Sequence, residues 1–554
     1  MLTSSELSEG DHHFLQFKQQ YGNILQHSLN GQARRGKKAL VPSSAHPTLE
    51  VELSLIKALQ VAGFSPAVLF FRKESSYLAK YYKLAGVSEF HLWSDFTDPM
   101  GLTPTDADPF SLAAAETIVA QHVSIQELLG FEHAGARVGR IATATALRQL
   151  RSGTLDLNSD QFRRTLVRQV AIAMMSAKAA QGILRRVRPS FVVFVDTEYT
   201  PKGELFDNCI ESGIEAIAYD AAHKSNALML KRYSNENRDE HAWSLSRESW
   251  QRLLNMEWTD ARREQLHQEI YRTYASGDWY STVGTQFNKQ FMNGDAIREQ
   301  LNLDPAKKTA FIFPHILWDG AFFWGKNLFP SFEEWLIETV RAACANNKVN
   351  WVIKIHPAHV GKALQEGFRG EPAEIVSLRQ HIGELPPHIC LILPDSKIST
   401  YSLFEVMDYC LTVRGTVGIE AARLGIPVLT PGTGRYTHRG FTIDTDTREQ
   451  FFERVAHIQD IPRLSLAQRE LAERYAYGLF VIRPLALETV TFEYLKNGDE
   501  ASACKITSKD NIRIKSSINA RNQGDWFRAP DFKDLVGWLG NSTQQDFLAC
   551  LPGL

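Results

Sequence analysis

Short apolar runs alternate with segments of helical spacing along most of this chain, and the alternation starts only after a polar opening. Residues 1–60 are polar and poorly patterned. Residues 65–71 then form a continuous apolar run of strand length, and residues 74–86 read as a helix. From 161 to 186 apolar residues recur at helical spacing, among them Leu166, Val170, Ile172, Ala173 and Ala177. The run 189–196 is β-branched and aromatic. A strand apolar at every position is what a parallel sheet needs when helices cover both of its faces. A predicted helix over 203–212, ending at Gly213, and a strand over 214–219 complete the strand–helix–strand rhythm of a doubly wound α/β sheet.

Residues 235–300 are rich in charge, tryptophan and helix formers, and read as helices closing a first domain. After Pro305 the rhythm restarts. Strands are predicted over 309–313, 351–355, 389–393, 409–413 and 427–430, with helices over 331–346, from 402, and over 416–424. Long helices over 465–496 follow, then a polar tail with an amphipathic stretch near 531–550. The expected organisation is an N-terminal segment (1–60), an α/β domain (61–300), a second α/β domain (306–490) and a C-terminal tail (497–554). A chain of 554 residues is too long for one hydrophobic core, which agrees with two domains. No repeat of solenoid period is present.

Composition narrows the function classes. Lys+Arg is 61 and Asp+Glu is 63, a formal net charge of -2, so nothing global drives the chain to nucleic acid or anionic lipid. The basic runs at 34–38 and 185–188 read as solvated surface. Six cysteines lie scattered without a CxxC pair, which argues against a disulfide framework or a zinc site and for a reducing compartment. Residues 1–6 carry neither a basic n-region nor an apolar h-region, so no secretory signal is expected. No window approaches the roughly 18 apolar residues of a membrane span. A cytoplasmic location is expected, with any membrane contact made from the surface.

Four segments carry chemistry. The predicted strand 409–413 ends at Arg414-Gly415 and a helix opens at Thr416. Gly415 permits a sharp turn and close approach of a ligand. The first helical N–H groups lack internal partners and suit a phosphate. Glu420 lies one turn on from Thr416, placed to accept from two vicinal ribose hydroxyls. The same residues also fit an ordinary strand–turn–helix unit with a surface glutamate. In the second segment, Lys354-Ile355-His356-Pro357 ends an apolar strand at the carboxyl edge, where open α/β sheets bind ligands. Pro357 keeps His356 extended at the strand exit. Its imidazole can hydrogen-bond a phosphate or, if protonated, pair with it.

The third segment is Asp196-Thr197-Glu198-Tyr199-Thr200-Pro201-Lys202-Gly203. Carboxylates at a strand's carboxyl end suit a general base or a nucleophile at an anomeric carbon. Asp196 also fits a turn cap, with Glu198 solvated. The fourth segment, 314–324, offers His315 and Asp319 for hydroxyls and aromatic rings for stacking, or equally a hydrophobic contact between domains.

Residues 399–403, Val413 through Ala422, Gly425-Ile426-Pro427-Val428 and Gly434-Arg435-Tyr436 together resemble bacterial capsule and surface-polysaccharide glycosyltransferases of the GT-B fold. His356-Pro357 is similar to the HP motif of relatives that use CMP-activated Kdo or sialic acid. Trp318-Asp319 and the stretch 332–336 are similar to segments between those motifs, and 198–203 looks like the acceptor-side segment. The resemblance covers about 190–230 and 306–490; the first 150 residues carry none.

The resemblance implies two Rossmann-like domains facing a cleft, with C-terminal helices. It implies that Lys354, His356, Pro357, Arg414, Gly415, Thr416, Val417, Gly418 and Glu420 bind the nucleotide. Asp196, Glu198 and His356 would be catalytic, and His315, Asp319, Lys202 and Tyr436 would contact substrate. Arg414 stands where small or polar residues are common, and would either add a phosphate contact or mark a different donor. The implied reaction moves a sugar from a nucleotide-activated donor, CMP-linked and Kdo-like, to a surface polysaccharide or lipid-linked glycan, with inverting and retaining courses both open. No metal and no cofactor beyond the nucleotide-sugar co-substrate is expected, and no nucleic-acid partner. Peripheral contact with the inner face of the cytoplasmic membrane fits a glycolipid acceptor. Two alternatives remain: a polyol-phosphate transferase of the CDP-glycerol type, and a non-catalytic polysaccharide-assembly binding protein.

Overall fold

A computed structural model describes residues 4–26, 37–43, 49–122, 124–286, 288–366, 370–494, 514–519 and 526–549. Two open sheets lie in it, one per domain. The first contains β1 (Lys38–Pro42), β2 (Ser65–Phe70), β3 (Glu89–Leu92), β4 (Phe191–Phe194), β5 (Glu215–Ala221) and β6 (Ala227–Tyr233). Strands β3-β2-β1-β4-β5 are parallel in that spatial order, and β6 follows antiparallel to β5. The second contains β7 (Thr309–Ile312), β8 (Asn350–Lys354), β9 (Ile389–Ile392), β10 (Tyr409–Leu411), β11 (Val428–Pro431) and β12 (Ile443–Thr445). All six are parallel in the order β12-β11-β10-β7-β8-β9. Each sheet reverses direction beside its first strand, which opens a crevice at the carboxyl ends where ligands of this architecture bind. The fold is therefore α/β with two Rossmann-like domains, as expected.

Residues 1–60, read above as poorly patterned, hold the helix Ser4–Leu25, the central strand β1 and the helix Leu49–Val61. The reason is physical. β1 is only five residues long, and Leu49–Val61 is buried on nearly all sides, Glu52 and Lys57 included, so neither shows a periodic stripe. β6 escaped for a related reason, since its run contains Lys231 and Arg232, both buried and both ion-paired. The helices Arg247–Asn255, Asp260–Ala275 and Gly294–Gln300 were expected to close the first domain. Their Trp250, Leu253, Ile270 and Ile297 instead share a core with Ile419, Ala422, Val428 and Tyr475 of the second.

The end of the chain returns. β13 (Leu485–Ala486) pairs with β6. The hairpin of β14 (Val490–Tyr494) and β15 (Ile514–Ile518) and the helix Pro530–Asn541 then pack on Leu49–Val61 in the first-domain core. Asp546 follows, fully buried against Lys231 at 3.0 Å and Arg483 at 3.5 Å. The described part of the tail thus docks on the first domain; residues 495–513 lie outside the described residues, as does most of the basic run 34–38.

The domains meet closely on one side. A methyl group at Gly153 would sit 2.6 Å from Cβ of Leu317, and Thr154 donates to Glu333 at 3.0 Å. Among the described residues no helix is long and apolar enough to cross a membrane.

Candidate functional site

The carboxyl edges of the two sheets enclose a cavity of about 480 Å³. β4 and β5 deliver Asp196, Glu198 and Asp220 to one wall. β7, β8, β10 and β11 lead into loops that deliver His315, Lys354 with His356, Thr416 and Arg435 to the other. Tyr274, Trp279 and Tyr280, from the segment that crosses to the second domain, line the wall between them.

The first-domain wall is acidic. Asp196 stays half exposed and pairs with Lys202 at 3.4 Å; that contact occupies Lys202, which is not among the lining residues. Glu198 accepts from the backbone N–H of Thr197 at 3.1 Å and from its hydroxyl at 2.7 Å. Burial, and then the charge of Asp196, push Glu198 up to about 7. Asp220 accepts from the Ala221 N–H at 2.7 Å, and burial followed by Asp196 pushes it up to about 7 as well. Carboxyl groups poised near neutrality can exchange a proton with a substrate hydroxyl. Sequence reasoning missed Asp220. The available signal was its place at the carboxyl end of β5, matching that of Asp196 after β4.

The second-domain wall is rich in donors. Lys354 is 3% exposed and, among the described residues, its side chain has neither a hydrogen bond nor an ion pair. Burial, and then Lys289, push its amine down to about 7. His356 accepts the Ala358 N–H on Nδ1 at 3.2 Å, so in the neutral ring Nε2 carries the proton. Burial pushes this imidazole down to about 3, which makes it a neutral donor rather than a cation. Pro357 lines the cavity beside it.

The turn after β10 is built from behind. Tyr436 is fully buried and its hydroxyl donates to the Gly415 carbonyl at 2.8 Å. The Gly415 N–H donates to the Thr412 hydroxyl oxygen at 3.2 Å. A Cβ on Gly418 would meet the Tyr436 hydroxyl at 2.2 Å, so only glycine fits there. The Gly418 N–H is taken by the Gly415 carbonyl at 3.0 Å. Thr416 and Val417 line the cavity, at the start of a helix that runs only Val417–Ala422. Glu420 reaches it from the same helix, accepting from the Tyr274 hydroxyl at 2.6 Å, and burial pushes it up to about 7.

Four expected site residues are engaged by other protein groups. The Arg414 guanidinium is buried and donates to the carbonyls of Phe323 and Thr433 and to Oδ1 of Asn327, away from the cavity. Its place as the last residue before the turn does not reveal which side it faces. Tyr436 supports the turn rather than lining the cavity. Asp319 lines the cavity but accepts from Tyr199 at 2.7 Å and pairs with Lys362 at 3.2 Å. His315 accepts the Arg414 N–H on Nε2 at 2.9 Å and stacks on Phe332, leaving Nδ1 to carry its proton.

Neither a protein-family model nor a curated protein matches the chain. Several solved structures are similar to it. The β-Kdo 2,4 transferase KpsC of Thermosulfurimonas dismutans is 13% identical, over 53% of this chain and 80% of that one, with a TM-score of 0.30. UDP-GlcNAc 2-epimerase from Neisseria meningitidis, bound to UDP-GlcNAc, is 12% identical over 80% and 96%, with a TM-score of 0.26. Anabaena HepE in complex with UDP and glucose is 12% identical over 80% and 94%, with a TM-score of 0.27. The strand orders, rather than these likenesses, establish the architecture.

Proposed function

We propose that this protein is a glycosyltransferase that moves a sugar from a nucleotide-activated donor to a surface polysaccharide or lipid-linked glycan. One observation carries the reading. A single cavity opposes carboxyl groups poised near neutrality, Glu198 and Asp220, to a wall of donors that includes Lys354, whose amine has no partner among the described residues. In transfer, the bond from the anomeric carbon to the phosphate oxygen breaks and a bond to the acceptor oxygen forms. Glu198, with Asp196 and Asp220 beside it, takes the acceptor proton or attacks the anomeric carbon. The Nε2–H of His356, the Lys354 amine and the N–H groups of Thr416 and Val417 stabilise the departing phosphate. Glu420 receives the ribose hydroxyls on the oxygen that Tyr274 leaves free. The HP segment favours a CMP-linked, Kdo-like donor, and a glycolipid acceptor would be met at the inner face of the cytoplasmic membrane.

The test is a screen of CMP-, CDP-, UDP- and GDP-activated donors by thermal melting and by product mass spectrometry. A ligand that binds only the native state raises the melting point. One donor class should stabilise the protein and yield a glycoside, and Glu198→Gln should abolish transfer while keeping the stabilisation. A phosphodiester product, or no stabilisation by any nucleotide, overturns the reading.

A further inference from the structure

Arg435 follows Gly434 in the loop after β11 and lines the cavity, and it takes no part in the transfer step. Among the described residues no carboxylate pairs with it, and its Nε is buried without a hydrogen-bond partner. Its neighbour Arg414 differs, since that guanidinium is taken up by two carbonyls and an amide oxygen.

The contact Arg435 does make is short of an acceptor. Its Nη2 lies 3.2 Å from Nε2 of His241. Nδ1 of the same ring faces the backbone N–H of Trp243 at 3.0 Å. A neutral imidazole has one acceptor nitrogen. If Nδ1 accepts from Trp243, Nε2 carries a proton and meets Arg435 donor to donor. If Nε2 accepts from Arg435, the Trp243 N–H meets a proton instead. Either tautomer leaves an N–H without an acceptor, and a protonated ring leaves more. Burial and the surrounding cations, Arg435 first, hold His241 well below the ordinary histidine range, so the ring is neutral. Aromatic rings back the pair: Trp243 lies under the guanidinium at 5.8 Å and Trp324 lies against His241 at 4.4 Å.

We infer that Arg435 and His241 form a second oxyanion subsite of the cavity, which takes a carboxylate or phosphate group distinct from the one held at Lys354 and His356. The separation follows from the sheet. β11 and β8 stand three strands apart in the order β11-β10-β7-β8, so their ends lie roughly 14 Å from each other at ordinary strand spacing. The two pairs of side chains therefore rise from separate strand ends along the cavity wall. The inference deepens the proposed function and rests on the cavity being a ligand site: the substrates together carry two anionic groups, the leaving phosphate and another on the transferred sugar or the acceptor.

Crystals soaked in sodium tungstate test the subsite directly. Two anomalous peaks are expected, one at Arg435–His241 and one at Lys354–His356, with Arg435→Gln removing only the first. A peak at Lys354–His356 alone overturns this inference and leaves the proposed function standing. A peak at Arg435 alone supports the subsite and counts against the nucleotide reading, and no peak at either overturns the inference. In solution, Lys354→Gln protein isolates the second subsite. Its melting point should rise with inorganic phosphate or with acetate, the more effective probe naming the group. Adding Arg435→Gln should weaken that probe about tenfold or more, the usual loss for a charge-assisted hydrogen bond. Arg435→Lys, which keeps the charge but not the planar fork, should fall between. No rise with either probe overturns the inference.

Discussion

The hydroxyl of Tyr199 donates a 2.7 Å hydrogen bond to Oδ1 of Asp319, and so ties the loop that carries Glu198 to the second domain. The Gly320 N–H donates to the same hydroxyl at 3.0 Å, Lys362 pairs with Asp319 at 3.2 Å, and the Arg148 guanidinium lies over the Tyr199 ring at 4.3 Å. Burial alone would raise Asp319, but Lys362, Arg148 and Tyr199 hold it below the usual carboxylate range. A carboxylate so engaged acts as a clasp between domains.

Tyr199→Phe should therefore cost about 1.5–3 kcal/mol of stability in urea unfolding, the range for a hydrogen bond to a charged group. Nucleotide-induced stabilisation should stay within error of the wild type. If Asp319 were chiefly a substrate ligand, Asp319→Asn would instead weaken ligand binding and leave unfolding unchanged.

Glu198 and Asp220 give opposite pH slopes to stability and activity. Both stand near 7 in the fold, against 4.5 and 3.8 as ordinary values. A carboxyl raised on folding adds stability that is complete below its unfolded value and is lost as pH rises through the folded one. The melting point should fall between pH 5 and 8. Transfer should rise over the same interval with a midpoint near 7, because the base works ionised. Glu198→Gln should flatten the stability slope in melts across that range. An unchanged slope would mean that Glu198 ionises in the ordinary range.

These roles were unequally legible in the chain. Lys354-His356-Pro357 and the turn at Gly415 could be read because a strand end and a glycine are local features. Asp196 and Glu198 were visible for the same reason. Asp220, Arg435 and Tyr274 were not, since what joins them to the site is the pairing of β5 beside β4, of β11 beside β10, and the crossing of residues 245–303 to the second domain. Arg414 and Tyr436 sit within the recognisable run, but position in a run does not say which side of a turn a side chain supports. The strand rhythm announced both sheets, but it missed β1, β3 and β12, which are short, and β6, which carries buried charge, and the helices expected over 465–496 give way to β13 and β14.

Asp546 fastens the end of the chain to the first domain. It is fully buried, and Arg483 and Lys231 hold it below the usual carboxylate range against the effect of burial. The backbone N–H of Ser246 also donates to it at 2.7 Å. Asp546→Ala leaves the buried Arg483 without a carboxylate and Lys231 with Glu240 alone, at 2.7 Å, which should cost about 3–5 kcal/mol. Because a depressed carboxyl contributes above its unfolded value, the difference between wild type and variant should shrink as pH falls below 4. Equal stability at pH 7 would show that the tail docks without this contact.

Lys354 is where stability and ligand binding should pull in opposite directions. Its amine is buried with no acceptor among the described residues, and it stands at about 7 against an ordinary 10.5. A cation whose value is depressed on folding costs stability below its unfolded value, because the unfolded chain holds the proton more readily, and the cost is complete below the folded one. At 1.36 kcal/mol per unit this is on the order of a few kcal/mol at pH 7. Lys354→Met keeps the length and removes the charge. The variant should melt higher than wild type at pH 7, and the gain should fade toward pH 10. It should also lose the stabilisation by nucleotide that wild type shows, since a buried amine without a protein partner is held there for a ligand's oxygen. A variant that melts lower at pH 7 would mean that the lysine stabilises the empty fold, and the main reason for placing a phosphate beside His356 would be gone.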